Sequence, residues 1–186
     1  MKRAVNRAVF LDRDGVITRA LVRDGKPYAP ATLAEMEIDP DAPAALARLK
    51  AAGFLLVVVT NQPDVARGTT RREAVEAMHA MLRADLPLDA CCVCYHDDAD
   101  ACLCRKPLPG LLTQAAGVHG IDLDRSFLVG DRWRDIDAGD AAGCRTILID
   151  RGYRERGPEH PPHARVKTLA EAAEWITRSE QSTRHH

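Results

Sequence analysis

The run Ala8-Val9-Phe10-Leu11 is short, apolar and of strand type, and it stops abruptly at Asp12-Arg13-Asp14-Gly15. Few local patterns constrain a chain more. The run asks for burial, and the two carboxylates that end it ask for a place where their charge is met. Side chains alternate along an extended strand, so Asp12 and Asp14 leave its end on the same side and can converge on one small volume. Like charges held that close call for a divalent cation such as Mg²⁺, or for a shared proton that leaves one carboxyl able to act as an acid. Either arrangement suits phosphoryl chemistry. An exposed Asp/Gly turn would read the same way in isolation, so the rest of the chain has to decide.

Three further segments repeat the design. Phe54 to Val59 is apolar and ends in Thr60-Asn61-Gln62; a cysteine-rich stretch leads to Arg105-Lys106-Pro107; and Ser126 to Val129 ends in Gly130-Asp131, followed by Asp135 and Asp137. Polar groups that terminate apolar runs meet at one edge of an open parallel sheet, where the ligand crevice lies outside the carboxyl ends of the strands. Between the runs, residues 42–52, 71–84, 109–118, 135–142 and 169–176 have helical periodicity, with Gly53, Gly117 and Gly143 as expected terminators. Strands alternating with helices predict an α/β domain with right-handed crossovers and a central parallel sheet.

At 186 residues, with no internal repeat and no linker-like stretch, the chain is expected to form one domain over residues 1–177, with a disordered tail over 178–186. A formal net charge of -1 gives no global attraction to nucleic acid or to an anionic membrane. The basic segment Met1 to Arg7 is followed by too few apolar residues for a signal peptide or a membrane span, so the expectation is a cytoplasmic protein, taken as a monomer.

Five of the six cysteines lie between Cys91 and Cys104, together with His96. Without an export signal, thiolates and an imidazole at short spacing suit tetrahedral zinc better than a disulfide framework. The preferred set is Cys94, His96, Cys102 and Cys104, in a loop over about residues 91–106, with Cys92 in place of His96 as the alternative. Cys91 and Cys92 otherwise read as strand residues and Cys144 as a small buried residue.

Asp12-x-Asp14-Gly15, Thr60-Asn61, Lys106 and Gly130-Asp131 with Asp135 resemble the four ordered motifs of the haloacid dehalogenase (HAD) superfamily of phosphotransferases, over about residues 8–150. Ala66-Arg67-Gly68 after Gln62, and the cysteine–histidine cluster abutting Arg105-Lys106-Pro107, are similar to the branch that holds heptose bisphosphate and histidinol-phosphate phosphatases. The resemblance implies a Rossmann-like HAD domain, a structural zinc and a catalytic Mg²⁺ held by Asp12, Asp131 and the backbone carbonyl of Asp14. Phosphate-ester chemistry assigns Asp12 as nucleophile and Asp14 as general acid and base, with Thr60 and Lys106 holding the transferring phosphoryl group. Asp135 and Asp137 can alternatively be first-turn acids that complement a helix dipole, the reading preferred for Asp137.

The loops after Asp14 and after Thr60 leave no room for a separate cap domain, so discrimination falls to loop residues: Arg13, Asn61, Gln62, Arg67, Arg105 and Arg132, with Arg23 and Lys26 as further candidates. Clustered arginines suit a second phosphate, which a guanidinium binds in bidentate fashion. The substrate expected is a phosphorylated sugar, foremost a heptose 1,7-bisphosphate. Histidinol phosphate is the alternative substrate, and a phospho-accepting regulatory domain is the non-enzymatic alternative.

Overall fold

The apolar runs all become strands of one sheet, because only a sheet covered on both faces buries them completely. The structure, a computed structural model, describes residues 5–183. In chain order the elements are β1 (Ala8–Leu11), a hairpin of β2 (Leu21–Arg23) and β3 (Lys26–Tyr28), α1 (Ala42–Ala51), β4 (Leu55–Asn61), α2 (Arg72–Asp85), β5 (Ala90–Cys94), α3 (Gly110–His119), β6 (Phe127–Gly130), α4 (Trp133–Ala142), β7 (Arg145–Ile149), β8 (Ala164–Val166) and α5 (Leu169–Thr183). Six strands pair in the order β5-β4-β1-β6-β7-β8, every pair parallel. No separate cap domain interrupts the described residues; the segment between β1 and α1 holds only the β2–β3 hairpin and a short 3-10 turn.

Alternation along each strand divides the core in two. Val9, Leu11, Leu56 and Val58 face one way and pack with Leu46 and Leu49 of α1, Met78 and Leu82 of α2, and Ile176 of α5. Ala8, Phe10, Val57 and Val59 face the other way, against Leu111, Leu112 and Ala115 of α3 and Ala138 of α4. The four residues of β1 are all fully buried. The chain leaves β1 for β4 on one side and reaches β6 on the other, so the strand order reverses beside β1 and opens a crevice at its carboxyl end. Among the described residues, no helix is long and apolar enough to cross a membrane.

The sequence expectation for the helices needs three adjustments. Gly117 lies inside α3, whose left-handed cap is Gly120 at φ 61°. The segment before α4 begins its helix at Trp133 rather than Asp135. The expected disordered tail is helical through Thr183, since α5 continues well past Ile176; the rest of that tail, 184–186, and the basic residues 1–4 lie outside the described residues. Nothing lies within 4 Å of a methyl group built on Gly117. Gly117→Ala should therefore raise the unfolding free energy by roughly 0.4–1 kcal/mol, while Gly120→Ala, forced to hold a left-handed backbone, should lower it. Urea unfolding of the two variants measures both signs.

Candidate active site

β1, β4 and β6 end side by side, and the end of β4, the residues that follow β1 and β6 and the segment after β5 build one pocket of about 310 Å³. Asp12, Asp14, Thr60, Asn61, Arg67, Arg105, Lys106, Arg132, Arg134 and Asp135 all line it, joined from above by Pro27 and Tyr28 of the β2–β3 hairpin. The motifs separated in sequence thus meet at one sheet edge.

At the centre is Lys106, a lysine only 2% exposed. Its ammonium donates to Asp12 Oδ1 at 2.9 Å, Asp135 Oδ1 at 2.6 Å and the Val59 carbonyl at 2.7 Å, which uses all three of its N–H bonds. Burial works against the lysine's charge, but Asp12 and Asp135 outweigh it and hold the pKa above the ordinary value. Burial pushes the Asp12 carboxyl up to about 6; Lys106 opposes the rise, while Asp135 and Asp14 add to it. Asp131, buried as well, is raised well above the usual range by burial and by Asp12 and Asp135, against the opposing hydrogen bond from the Tyr153 hydroxyl at 2.8 Å.

Asp12, Asp131 and Asp135 bring one carboxylate oxygen each to within 4.8 Å of one another. Three buried carboxylates against one ammonium leave the site short of positive charge, and Asp131 Oδ1 is buried with no hydrogen-bond partner. An orphaned carboxylate oxygen in an all-oxygen cluster is the signature of a hard cation's ligand, so the donor set fits Mg²⁺. Gly15 is required beside it: a Cβ there would stand 1.8 Å from Asp131 Oδ2, and its φ is +87°. Asp135, which reads from sequence as either a motif residue or a helix acid, is both. Its Oδ1 holds Lys106, and its Oδ2 accepts from the Arg132 backbone N–H at the start of α4. Asp137 points elsewhere and takes Arg156 and the Glu159 N–H.

The Asp14 side chain is not in the carboxylate cluster. It accepts from Arg13 Nε and Nη2, Thr18 Oγ1 and Gln62 Nε2, all between 2.9 and 3.1 Å. Three residues expected to contact substrate have their side chains engaged within the protein. Arg13 is fully buried; its third nitrogen contacts His79 Nε2 at 3.1 Å, so it faces α2 rather than the pocket. Gln62, 2% exposed, bridges Asp14 and Thr60 Oγ1. Asn61 does line the pocket, but its amide is spent on the Lys106 backbone, donating to its carbonyl and accepting from its N–H. Sequence spacing could not show this, because side chains in a turn after a strand do not follow the strand's alternation. Tyr153 and His79, far from any motif, carried no signal at all.

The remaining expected arginines do line the pocket, each with an acid: Arg67 with Asp97, Arg105 with Asp98 and Arg132 with Glu155. The Arg67 guanidinium holds the Asp97 carboxyl down at about 2. Arg134 is a pocket residue the sequence reading missed. Burial, with Arg105 and Arg132 close by, outweighs Asp98 and Glu155 and holds it below the ordinary guanidinium value.

Behind Lys106, the segment 94–104 folds back so that Cys94 Sγ, His96 Nδ1, Cys102 Sγ and Cys104 Sγ lie 3.1–3.6 Å from their neighbours in the cluster. The same four residues group as a candidate metal set, with His96 rather than Cys92, and no cysteine among those described is in a disulfide. Cys91 and Cys92 are half-buried residues of β5, and Cys144 is buried in the core.

A HAD-hydrolase-like family profile matches residues 103–172. The D-glycero-beta-D-manno-heptose-1,7-bisphosphate 7-phosphatase of Pseudomonas aeruginosa is 38% identical over 149 residues, covering 77% of this chain and 81% of the relative. The enzyme of that name from Helicobacter pylori strain J99 is 33% identical over 181 residues, covering 92% and 97%. Among solved structures, the D,D-heptose 1,7-bisphosphate phosphatase of B. bronchiseptica, complexed with magnesium and phosphate, superposes with a TM-score of 0.79 at 32% identity, covering 93% of this chain and 99% of the other.

The buried His79, packed against Arg13, generates a pH dependence. Burial, and then the Arg13 charge, push the His79 imidazole from its ordinary 6.5 down to about 4, with Asp14 opposing. The unfolded chain therefore binds a proton between these values that the folded one does not, so the contribution is intact above pH 6.5 and is lost as the pH falls toward 4. At about 1.4 kcal/mol per pH unit, the loss across that window reaches about 3 kcal/mol. His79→Gln, which keeps an acceptor for Arg13, should flatten this part of the pH–stability curve measured by urea unfolding.

Proposed function

The chain belongs to the HAD-like hydrolase family and is a phosphatase of that family, and we propose that it hydrolyses a heptose 1,7-bisphosphate at its 7-phosphate through an aspartyl-phosphate on Asp12. The observation that carries this reading is the Lys106 ammonium, fixed between Asp12 and Asp135 at the edge of a pocket rimmed by arginines. The phospho-accepting regulatory domain falls away with the family assignment. Histidinol phosphate gives the arginines no second anion to hold.

Attack by an anion on a phosphate monoester is opposed by charge repulsion, and catalysis consists of neutralising that charge and aligning attacker and leaving group. Asp12, fixed through Oδ1, attacks phosphorus. The bond to the leaving alkoxide breaks, and Asp14 gives that oxygen its proton. Asp14, now a carboxylate, takes a proton from a water that attacks the phosphorus of the acyl phosphate, releasing inorganic phosphate and restoring Asp12. Arg13, Thr18 and Gln62 hold Asp14 in place, with His79 behind Arg13. Gln62 also donates to Thr60 Oγ1, leaving that hydroxyl's hydrogen free for a phosphoryl oxygen. Asn61 fixes the backbone of Lys106, whose charge lies beside the transferring group.

Asp12, Asp131 and Asp135 are the side chains that would hold Mg²⁺, with the Asp14 carbonyl as an additional ligand. A divalent cation there supplies the positive charge that the cluster lacks and that a phosphoryl group requires. Cys94, His96, Cys102 and Cys104 are the residues that would hold a structural zinc: their sulfur–sulfur separations of 3.1–3.6 Å are near those expected of thiolate ligands with Zn–S bonds of about 2.3 Å. A zinc there would fix the loop that delivers Arg105 and Lys106.

Steady-state kinetics test the substrate. Heptose 1,7-bisphosphate should exceed histidinol phosphate in kcat/KM by at least about tenfold in the presence of Mg²⁺, the worth of one charge-assisted contact. The reverse order would replace this reading with the histidinol one. Asp12→Asn should abolish turnover, and residual activity within about tenfold of wild type would remove Asp12 as nucleophile. Elemental analysis should find one zinc per chain, lost in Cys94→Ser together with thermal stability. Protein prepared without chelator that carries no zinc would contradict that part.

A further inference from the structure

Arg67, Arg105, Arg132 and Arg134 line the pocket, and their commitments differ. Arg67 reaches Asp97 at 2.6 Å, Arg105 reaches Asp98 at 2.7 Å and Arg132 reaches Glu155 at 2.6 Å. For Arg134 the acid contact is Asp98 Oδ1 at 3.6 Å, beyond hydrogen-bond distance and to an oxygen that Arg105 already holds. Its side chain is nonetheless 27% exposed and lies 4.6 Å over the Trp133 ring, which Arg156 also approaches at 3.5 Å. Trp133 thus presents a guanidinium in a fixed place with its hydrogen-bonding fork unspent. Stacking of this kind orients an arginine without using its donors.

The position matters as much as the state. A second cavity of about 340 Å³, lined by Lys26, Trp133, Arg154 and Glu155, shares Pro27, Tyr28, Arg132 and Arg134 with the pocket. Arg134 stands at the junction of the two, on the first turn of α4, whereas Lys106 sits at the floor. Asp98, whose side chain is 60% exposed, is the one carboxylate toward which both Arg105 and Arg134 converge. That convergence marks a point where an anion is held by guanidiniums from two separate segments.

We propose that Arg134 is a specificity-determining residue, which takes up the non-reacting phosphate of the substrate at the point now approached by Asp98, while the other phosphate reacts over Asp12 and Lys106. This rests on the bisphosphate reading above and deepens it. The exposed Asp98 side chain yields at little cost, and the incoming phosphate gives Arg134 the bidentate partner that no acid among the described residues provides.

The test measures kcat/KM for heptose 1,7-bisphosphate and for heptose 7-phosphate in wild type, Arg134→Gln and Arg134→Lys. Arg134→Gln should lose on the order of tenfold to a hundredfold on the bisphosphate, mainly in KM, and less than about threefold on the monophosphate. Arg134→Lys, which keeps the charge without the fork, should fall between wild type and Arg134→Gln on the bisphosphate. The monophosphate serves as the control for folding. Equal losses on both substrates, or none on either, would overturn the assignment of Arg134 while leaving a bisphosphate-preferring wild type intact. A wild type that shows no preference for the bisphosphate would instead remove the bisphosphate reading, and the role of Arg134 with it.

Discussion

The Lys106 ammonium, buried between Asp12 and Asp135 and anchored on the Val59 carbonyl, is the contact on which this structure turns. A lone lysine so deeply buried would give up its proton, and carboxylates so deeply buried would take one. Beside Asp12 and Asp135 the lysine keeps its proton against burial, because each carboxylate lies within hydrogen-bond distance of the ammonium. The balance is incomplete by design. Asp131 joins the same cluster with one oxygen unpartnered, so the protein alone leaves an excess of negative charge at the place where a phosphoryl group must arrive. Such a site is completed by a cation and an anion together.

Holding that contact explains much of the surrounding architecture. Asp12 directly follows β1, the Val59 carbonyl comes from β4 and Asp135 from the first turn of α4, so three elements must meet in register. Lys106 lies on no helix or strand, and its backbone is fixed by the two Asn61 hydrogen bonds and by the cysteine–histidine cluster just before it. A second layer fixes Asp14: Arg13, Thr18 and Gln62 bind it directly, and His79 of α2 backs Arg13. The residues around the chemistry thus divide into those that line the pocket and those that orient the liners. Arg13, Gln62 and His79 belong to the second kind, being buried behind the pocket wall.

The fold was legible because its signals are periodic or terminal. Apolar runs that end in Asp12, Thr60 and Asp131 announce strands and their carboxyl ends, and the order of the motifs predicts their convergence. The cluster of Cys94, His96, Cys102 and Cys104 was legible because thiols at such spacing have few other uses in a chain of this kind. What escaped depends on direction rather than on order. Whether Arg13 points into the pocket or back beneath α2 is decided by a tight turn after β1, and no local pattern encodes it. Tyr153 reaches Asp131 from a loop beyond β7, and the β2–β3 hairpin forms the upper wall with only three residues per strand. Gly117 was the expected terminator of α3, but the helix runs on to His119 and is capped by Gly120. Val118, 71% exposed, adds nothing to the buried face that periodicity measures.

On the proposed mechanism the phosphoryl group passes through Asp12, the carboxylate that Lys106 holds in place. A rapid acid quench of a single turnover, with the reacting phosphoryl group radiolabelled, followed by peptide mapping, observes this directly. The label should appear transiently on the peptide that contains Asp12 and decay as inorganic phosphate forms. Label on another peptide, or phosphate released at the full single-turnover rate with no labelled peptide at any time, would contradict it.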